Sequence, residues 1–458
     1  MKATMQLQGR RALVVGLART GQAVARFLAA RGARVTVSEQ RAEAAVNGEV
    51  AALRKLGVQV ECGGHREPTF LSADLIVPSP GVPLSLPALA KAREKGIEVI
   101  SELELAWRFL RGTVVAVTGS NGKTTTVTLL GRIFAEAGRR VQVGGNIGTP
   151  LISLVEDATD DTVHVVEVSS FQLEAVTSFR PRVAALLNVT PDHLDRHSSM
   201  GDYVAAKARL FGFQQGDDFA IFNADDRYCA ELAPEVRAQR FWFSRQRRLD
   251  VGTFVENGWL CYRNGAVREK VLPREEIRLK GQHNLENVLA AACAARVLEV
   301  APERIRAAVA AFEGVEHRLE FVAEIDGVRW FNDSKATNVD AALKAIDAFD
   351  ANLIVILGGK DKGSDYTPLA GPLRERARHT LAIGAAREKI AGQLAGALPL
   401  ECVETLHEAV LRAAALARSG DTVLLAPACA SFDQFENYEH RGRVFKEEVR
   451  LLHVKRAC

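Results

Sequence analysis

The chain has 458 residues, 25% of them charged and 47% hydrophobic, the profile of a soluble globular protein with room for about two to four cored domains. Its 59 basic against 56 acidic side chains leave a net charge of only +3, too weak a bias for a nucleic-acid partner. No apolar stretch reaches membrane-spanning length and the opening MKATMQLQGRR lacks the apolar core of a signal peptide, so a cytoplasmic protein with no membrane partner is expected.

Strand–helix alternation begins at once: RALVVG reads as a strand, TGQAVARFLAARG as a helix and RVTVSE as a second strand. Between the first strand and helix lies GLARTG, residues 16–21, with Gly16, Thr20 and Gly21 at a helix N-terminus suited to a diphosphate. A dinucleotide fingerprint wants glycine where this chain has Ala18, so the pattern alone is weak. Glu39 ends the second strand, either holding a ribose hydroxyl or standing as a solvated strand end. The seven cysteines, scattered from Cys62 to Cys458 without a C-x-x-C pair, read as reduced thiols.

A second module opens with VVAVTGSNGKTTT, residues 114–126: an apolar strand, a glycine turn, a lysine, hydroxyls and a helix. That order surrounds a phosphate with backbone N–H groups and a helix N-terminus. The longer form of the phosphate loop wants glycine where the chain has Val117, so this is the short TGxxGKT variant. Gly119, Asn121, Gly122, Lys123, Thr124 and Thr125 form the expected phosphate-binding set, with Lys123 reaching the β- and γ-phosphates and Thr124 ligating Mg²⁺. Glu167, closing the strand in HVVEVSS, is a candidate metal ligand or a cap for the helix beginning at Ser169. TPDHLDRH places His193 and Asp195 beyond another apolar strand; a lone histidine there is more often structural. Lys207, in GDYVAAKARLF, reads on the residues alone as a helix-surface lysine.

In the third module, FVAEIDGVRWFND alternates around Asp326-Gly327, a hairpin signal. LIVILGG, TLAIG and DTVLLAPACAS read as further buried strands. Polar loops follow three of this module's strands: FNDSKATN, GGKDKG and ACASFDQFENYEHRG. Any one lysine there is best read as solvated charge, but three such loops suit an anionic substrate such as a carboxylate.

Taken together and in order, TGSNGKTTT, VEVSSFQLE, NVTPDHLDRH, GQHNLEN, HRLE, FNDSKATN and PACASFDQFENYEHRG resemble the motifs of the Mur ligases over essentially the full chain. FNDSKATN and SFDQF resemble the branch that adds D-glutamate. The resemblance implies an α/β protein of three domains, each built on a largely parallel sheet with flanking helices. These are a Rossmann-like domain at 1–111 for the uridine diphosphate, a central P-loop ATPase domain at 112–314, and a Rossmann-like amino-acid domain at 315–458. It implies ATP and Mg²⁺ as cofactors, and UDP-N-acetylmuramoyl-L-alanine and D-glutamate as substrates joined through an acyl phosphate. A monomer is the family expectation.

Carried over by motif, the resemblance makes Lys123, His193 and Lys207 catalytic. Thr124, Glu167, His193 and Lys207 (as a carbamate) would stand around metal. Asn287 and Arg318 would contact ATP, with Asp333 near its ribose. Lys335, Thr337, Lys360, Ser431 and Phe432 would hold D-glutamate, and Asn146 the sugar-peptide part. Gly16, Thr20, Gly21, Glu39 and Arg41 would bind the uridine diphosphate. Two rival readings share the phosphate loop: another amide ligase of the family, such as a folylpolyglutamate synthetase, and a nucleotide-driven switch protein without an amino-acid site.

Overall fold

The computed structural model describes residues 5–193, 196–396 and 399–457; Asp195 and Cys458 lie outside them. The chain forms three sheets within two compact units. One unit comprises Met1–Val189, Arg196–Glu276 and Asn287–Val309, and the other Thr190–Asp195, Ile277–Glu286 and Ala310–Cys458.

In the first unit, β1 (Arg11–Val15), β2 (Arg34–Glu39), β3 (Gln59–Cys62), β4 (Leu75–Pro78) and β5 (Glu98–Val99) form a parallel sheet in the order β3-β2-β1-β4-β5. The second sheet carries β6 (Thr113–Thr118), β7 (Val141–Gly145), β8 (Val163–Glu167), β9 (Val183–Leu186), β10 (Phe219–Asn223) and β11 (Gln239–Ser244). It extends through β12 (Val251–Glu256), β13 (Trp259–Asn264) and β14 (Val267–Pro273), in the order β14-β13-β12-β11-β10-β9-β6-β8-β7. Only the β12–β13 and β13–β14 pairs are antiparallel. β6, β8 and β9 are buried almost end to end, as strands covered on both faces must be.

The third sheet belongs to the second unit: β15 (Glu320–Ile325), β16 (Val328–Asn332), β17 (Leu353–Gly358), β18 (Ala377–Ile383), β19 (Leu400–Cys402) and β20 (Thr422–Leu425), in the order β15-β16-β20-β17-β18-β19. Asp326 and Gly327 both have positive φ, 51° and 75°, which gives the hairpin turn the sequence signals at that dipeptide. Alternate residues of β17 feed two cores: Val355 and Leu357 one, Ile354 and Ile356 the other. Among the described residues no helix is long and apolar enough to cross a membrane, and the six described cysteines are free.

The helix Glu102–Phe109 follows the first sheet and packs on the second sheet's flank. Ser101 caps it, accepting the Glu104 N–H at 3.3 Å, and Glu104 accepts the Thr177 and Ser178 N–H groups at 3.0 and 2.9 Å. Glu102 is buried and accepts the Ile152 N–H at 2.7 Å. Burial pushes its carboxyl up to about 7, against the pull of Ile152, Gln172 and Leu151. A folded value above the ordinary 4.5 means that this group's contribution is complete below about pH 4.5 and is lost as pH rises through about 7. For a buried carboxyl, that linkage is worth on the order of 3 kcal/mol. Glu102→Gln is therefore expected to flatten the fall in melting temperature between pH 5 and pH 8. An equal fall in wild type and variant would contradict the assignment.

Candidate functional site

The first unit gathers the phosphate-loop residues around the C-terminal ends of β6, β8 and β9. Gly122 ends the loop with φ 86°, and the helix Lys123–Glu136 starts there. A Cβ on Gly122 would lie 2.1 Å from Asn287 Oδ1, and Thr126 Oγ1 donates to that same oxygen at 3.4 Å. Asn287 therefore lies against the loop, next to where the sequence reading expects ATP. Lys123 Nζ folds back to the Gly119 and Ser120 carbonyls, at 2.7 and 2.8 Å.

Glu167 sits between two polar side chains. Its Oε2 accepts the Thr124 hydroxyl at 2.8 Å and its Oε1 accepts the Asn146 amide at 2.9 Å. The helix-cap alternative fails: Ser169 itself caps the following helix in a reciprocal box with Gln172. A hydroxyl and a carboxylate in contact beside a phosphate loop are the hard oxygen donors that a divalent cation of the Mg²⁺ type takes, so these residues fit one.

Lys207 differs from its sequence reading. It is 1% exposed, its Nζ donates to the Gly119 carbonyl at 2.9 Å, and it lies 4.4 Å from the Tyr203 ring centroid. The amphipathic pattern does not reveal this, because the burial comes from long-range packing on the loop. Two lysine ammonium groups, Lys123 and Lys207, thus point at one carbonyl oxygen.

Some site residues were missed by the sequence reading. Asn188 follows β9 and clamps the loop from below: its Oδ1 accepts the Asn121 N–H at 2.9 Å and its Nδ2 donates to the Asn121 carbonyl at 3.1 Å. Its polarity at the end of the apolar run VAALLN was the available signal. Tyr203 reaches Ser120 at 3.2 Å.

The 16–21 loop is also in this unit. A Cβ on Gly21 would lie 1.9 Å from the Gly16 carbonyl oxygen, which explains glycine there despite Ala18. Glu39 is buried rather than a solvated strand end. It accepts the Leu17 N–H at 2.7 Å and both the N–H and Nε of Arg41 at 2.9 Å. Burial pushes its carboxyl up, but Arg41 and Leu17 outweigh burial and hold it at about 2. Arg19 donates to the Gly148 carbonyl at 2.6 Å, tying this loop to the segment that carries Asn146.

His193, Arg318, Asp333, Lys335, Thr337, Lys360, Ser431 and Phe432 belong to the second unit. His193 has φ 56°, a left-handed value that histidine adopts more readily than most residues, and its N–H is held by Asp192 at 2.9 Å. Asp192 accepts the Asn338 amide at 2.9 Å, and Thr190 donates to Asp340 at 3.0 Å. These contacts border a cavity of about 570 Å³ lined by His193, Asn338 and Lys362 among others. Lys362, the second lysine of GGKDKG, reaches this cavity; Lys360 is exposed and its backbone pairs with Ala430 at 2.8 and 3.2 Å.

Asp333 is buried, and burial pushes its carboxyl up to about 7 while Arg318 and the Leu319 N–H pull it down. Lys335 lies 3.6 Å above the Tyr438 ring, whereas Phe432 is 66% exposed. Tyr438 is thus the aromatic partner of Lys335. Arg441, also missed, is fully buried beneath these loops. Among the described residues, Glu316, His317 and Glu320 are spaced for a metal ion, but Lys446 already bonds both glutamates.

A family profile described as Mur ligase middle domain matches residues 117–295, and one described as Mur ligase MurD-like, N-terminal domain matches 10–101. A third, Mur ligase, glutamate ligase domain, matches 317–429. The chain is 53% identical over 448 residues to a UDP-N-acetylmuramoylalanine--D-glutamate ligase of Koribacter versatilis, covering 98% of this chain and 99% of that one. It is 55% identical to the enzyme of the same name from Acidobacterium capsulatum, covering 97% of each. A pseudomurein peptide ligase type C from Methanothermus fervidus shares the fold, with a TM-score of 0.61 at 20% identity over 97% of this chain and 100% of that one.

Alanine at Gly122 would force a Cβ into Asn287 at a positive φ, a strain of about 1–2 kcal/mol before the clash is counted. Gly122→Ala is expected to lower the melting temperature by a few degrees and to weaken binding of a non-hydrolysable ATP analogue at least about tenfold. Unchanged analogue affinity by calorimetry would contradict the role given to this loop.

Proposed function

The chain belongs to the Mur ligase family, and from that premise we propose that it joins D-glutamate to UDP-N-acetylmuramoyl-L-alanine at the expense of ATP, a step in making peptidoglycan precursor. The observation that carries this reading is the end-to-end identity of about half with D-glutamate ligases. A folylpolyglutamate-type ligase would not be expected to match those enzymes over 98% of the chain, and a bare nucleotide switch would need none of the cationic loops of the second unit.

The chemistry follows from what a carboxylate lacks. The alanyl carboxylate of the acceptor is a poor electrophile until one oxygen is phosphorylated to a mixed anhydride. Transfer of a phosphoryl group from ATP makes the acyl phosphate, the D-glutamate amine attacks its carbonyl carbon, and the amide forms as inorganic phosphate leaves. The protein's work is positioning and charge neutralisation. Lys123 turns from its own loop carbonyls to the ATP phosphates. Thr124 and Glu167 would hold Mg²⁺, whose charge would offset that of the phosphates. Gly119, Asn121, Gly122 and Thr125 line the phosphates, with Asn287 beside them; in the second unit, Arg318 and Asp333 are the candidates for nucleotide contact.

Lys207 gains a role from its burial. An ammonium taken from water beside a second ammonium is costly. Addition of CO₂ to the neutral amine, with loss of a proton, would give a carbamate that Lys123 attracts and whose oxygens would suit a second metal; His193 is the second unit's candidate metal ligand. Residues 1–111 take the uridine diphosphate through Gly16, Thr20, Gly21, Glu39 and Arg41. Asn146 meets the sugar-peptide part. Residues 112–314 hold ATP, and residues 315–458 hold D-glutamate through Lys335, Thr337, Lys360, Ser431 and Phe432, with Lys362 joining from the Lys360 loop. The protein works in the cytoplasm as a monomer.

Phosphate release, followed in a coupled assay, is expected only when UDP-N-acetylmuramoyl-L-alanine and D-glutamate are both present. Brisk ATP hydrolysis without either would sink the reading. Lys207→Ala should lower the rate at least about a hundredfold, with partial recovery on adding acetate or formate. An unchanged rate removes Lys207 from the site.

A further inference from the structure

We propose that Arg441 is a positioning residue for the amino-acid substrate: one guanidinium sets the register of the strand-end loops carrying Lys335, Lys362 and Ser431. The inference rests on the function proposed above and concerns a residue that contacts none of the reacting groups. Arg441 lies in the first turn of the helix Tyr438–Ala457 and is fully buried. Its Nε donates to Ser334 Oγ at 3.0 Å and its Nη2 to the Ser334 carbonyl at 2.8 Å. Nη2 also reaches the Cys429 carbonyl at 3.2 Å, and Nη1 reaches those of Ala430 and Gly358 at 3.3 and 3.5 Å.

These contacts fall at the carboxyl ends of β16, β17 and β20, three strands adjacent in the sheet. Two partners are next in sequence to a candidate substrate residue: Ser334 to Lys335, and Ala430 to Ser431. Gly358 opens the loop that carries Lys362. Ser334 closes the circuit by donating its hydroxyl to the Tyr438 carbonyl at 2.8 Å, on the helix that carries Arg441 and the ring under Lys335.

Only a guanidinium has a planar fork of five donors able to span three backbone loops at once; an ammonium has three donors around one point. Every one of these acceptors is a carbonyl or hydroxyl oxygen. A buried cation so held costs more than one paired with carboxylate, and it leaves positive charge behind the loops that would face a dicarboxylic amino acid.

The test compares wild type with Arg441→Lys by steady-state kinetics for each of the three substrates, alongside hydrogen exchange on segments 333–338, 358–362 and 428–432. The expected result is a rise of about tenfold or more in KM for D-glutamate, with KM for ATP and for the acceptor within about twofold of wild type. Exchange should quicken in all three segments together. Equal changes in all three KM values, or no change for D-glutamate, would overturn the proposal. If Arg441→Lys does not fold, Ser334→Ala removes part of the same fork, and a KM rise of about threefold confined to D-glutamate is expected; without it the proposal fails. Wild type that ligates no D-glutamate would overturn the assigned function instead, and the exchange arm would still decide whether Arg441 couples the loops.

Discussion

The site in the first unit depends on one buried carboxylate. A carboxylate with almost no access to water must be hydrogen-bonded or carry a large penalty, and Glu167 meets that demand through the Thr124 hydroxyl and the Asn146 amide. The two bonds fix the end of β8, the start of the Lys123–Glu136 helix and the segment after β7 relative to each other. Any divalent cation in this place would inherit that arrangement with little reorganisation, which is what electrostatic catalysis of phosphoryl transfer requires. Asn188 adds an independent clamp on the loop backbone, so the phosphate cradle is held at its turn as well as at its helix.

The second unit solves a different problem with the same topology. Parallel strands end in loops at the carboxyl edge of the sheet, where ligands gather. Loops are flexible unless something ties them, and here the tie is a buried arginine fork beneath and a lysine–tyrosine contact above. Both devices bring positive charge to the place where an acidic amino acid is expected. Asp192 does the corresponding work beside His193, one carboxylate oxygen accepting the His193 N–H and the other the Asn338 amide.

Much of this was legible from residue order alone. The phosphate loop, Glu167 and the polar loops after the third module's strands are clusters that interrupt apolar strands, and a strand end is where such clusters face ligands. Asp326-Gly327 signals its hairpin because both positions need positive φ. What could not be read shares a physical cause. Lys207 and Arg441 sit on helices, and only long-range packing buries them. Glu39 looks equally like a ribose contact or a solvated end until Leu17 and Arg41 are seen to enclose it. That Lys362 lines the cavity and that Tyr438 lies under Lys335 depends on which side of a loop faces them, and spacing in a loop carries no such information.

The central claim is that nucleotide held at the loop of residues 119–125 activates a carboxyl for attack by one enantiomer of glutamate. Its most direct test is to incubate the enzyme with ATP, Mg²⁺, UDP-N-acetylmuramoyl-L-alanine and racemic glutamate, then determine the configuration of the glutamate in the hydrolysed product. The account predicts D-glutamate alone, formed in equal amount to the ADP released. Product carrying L-glutamate, or ADP formed with no new amide, would contradict it.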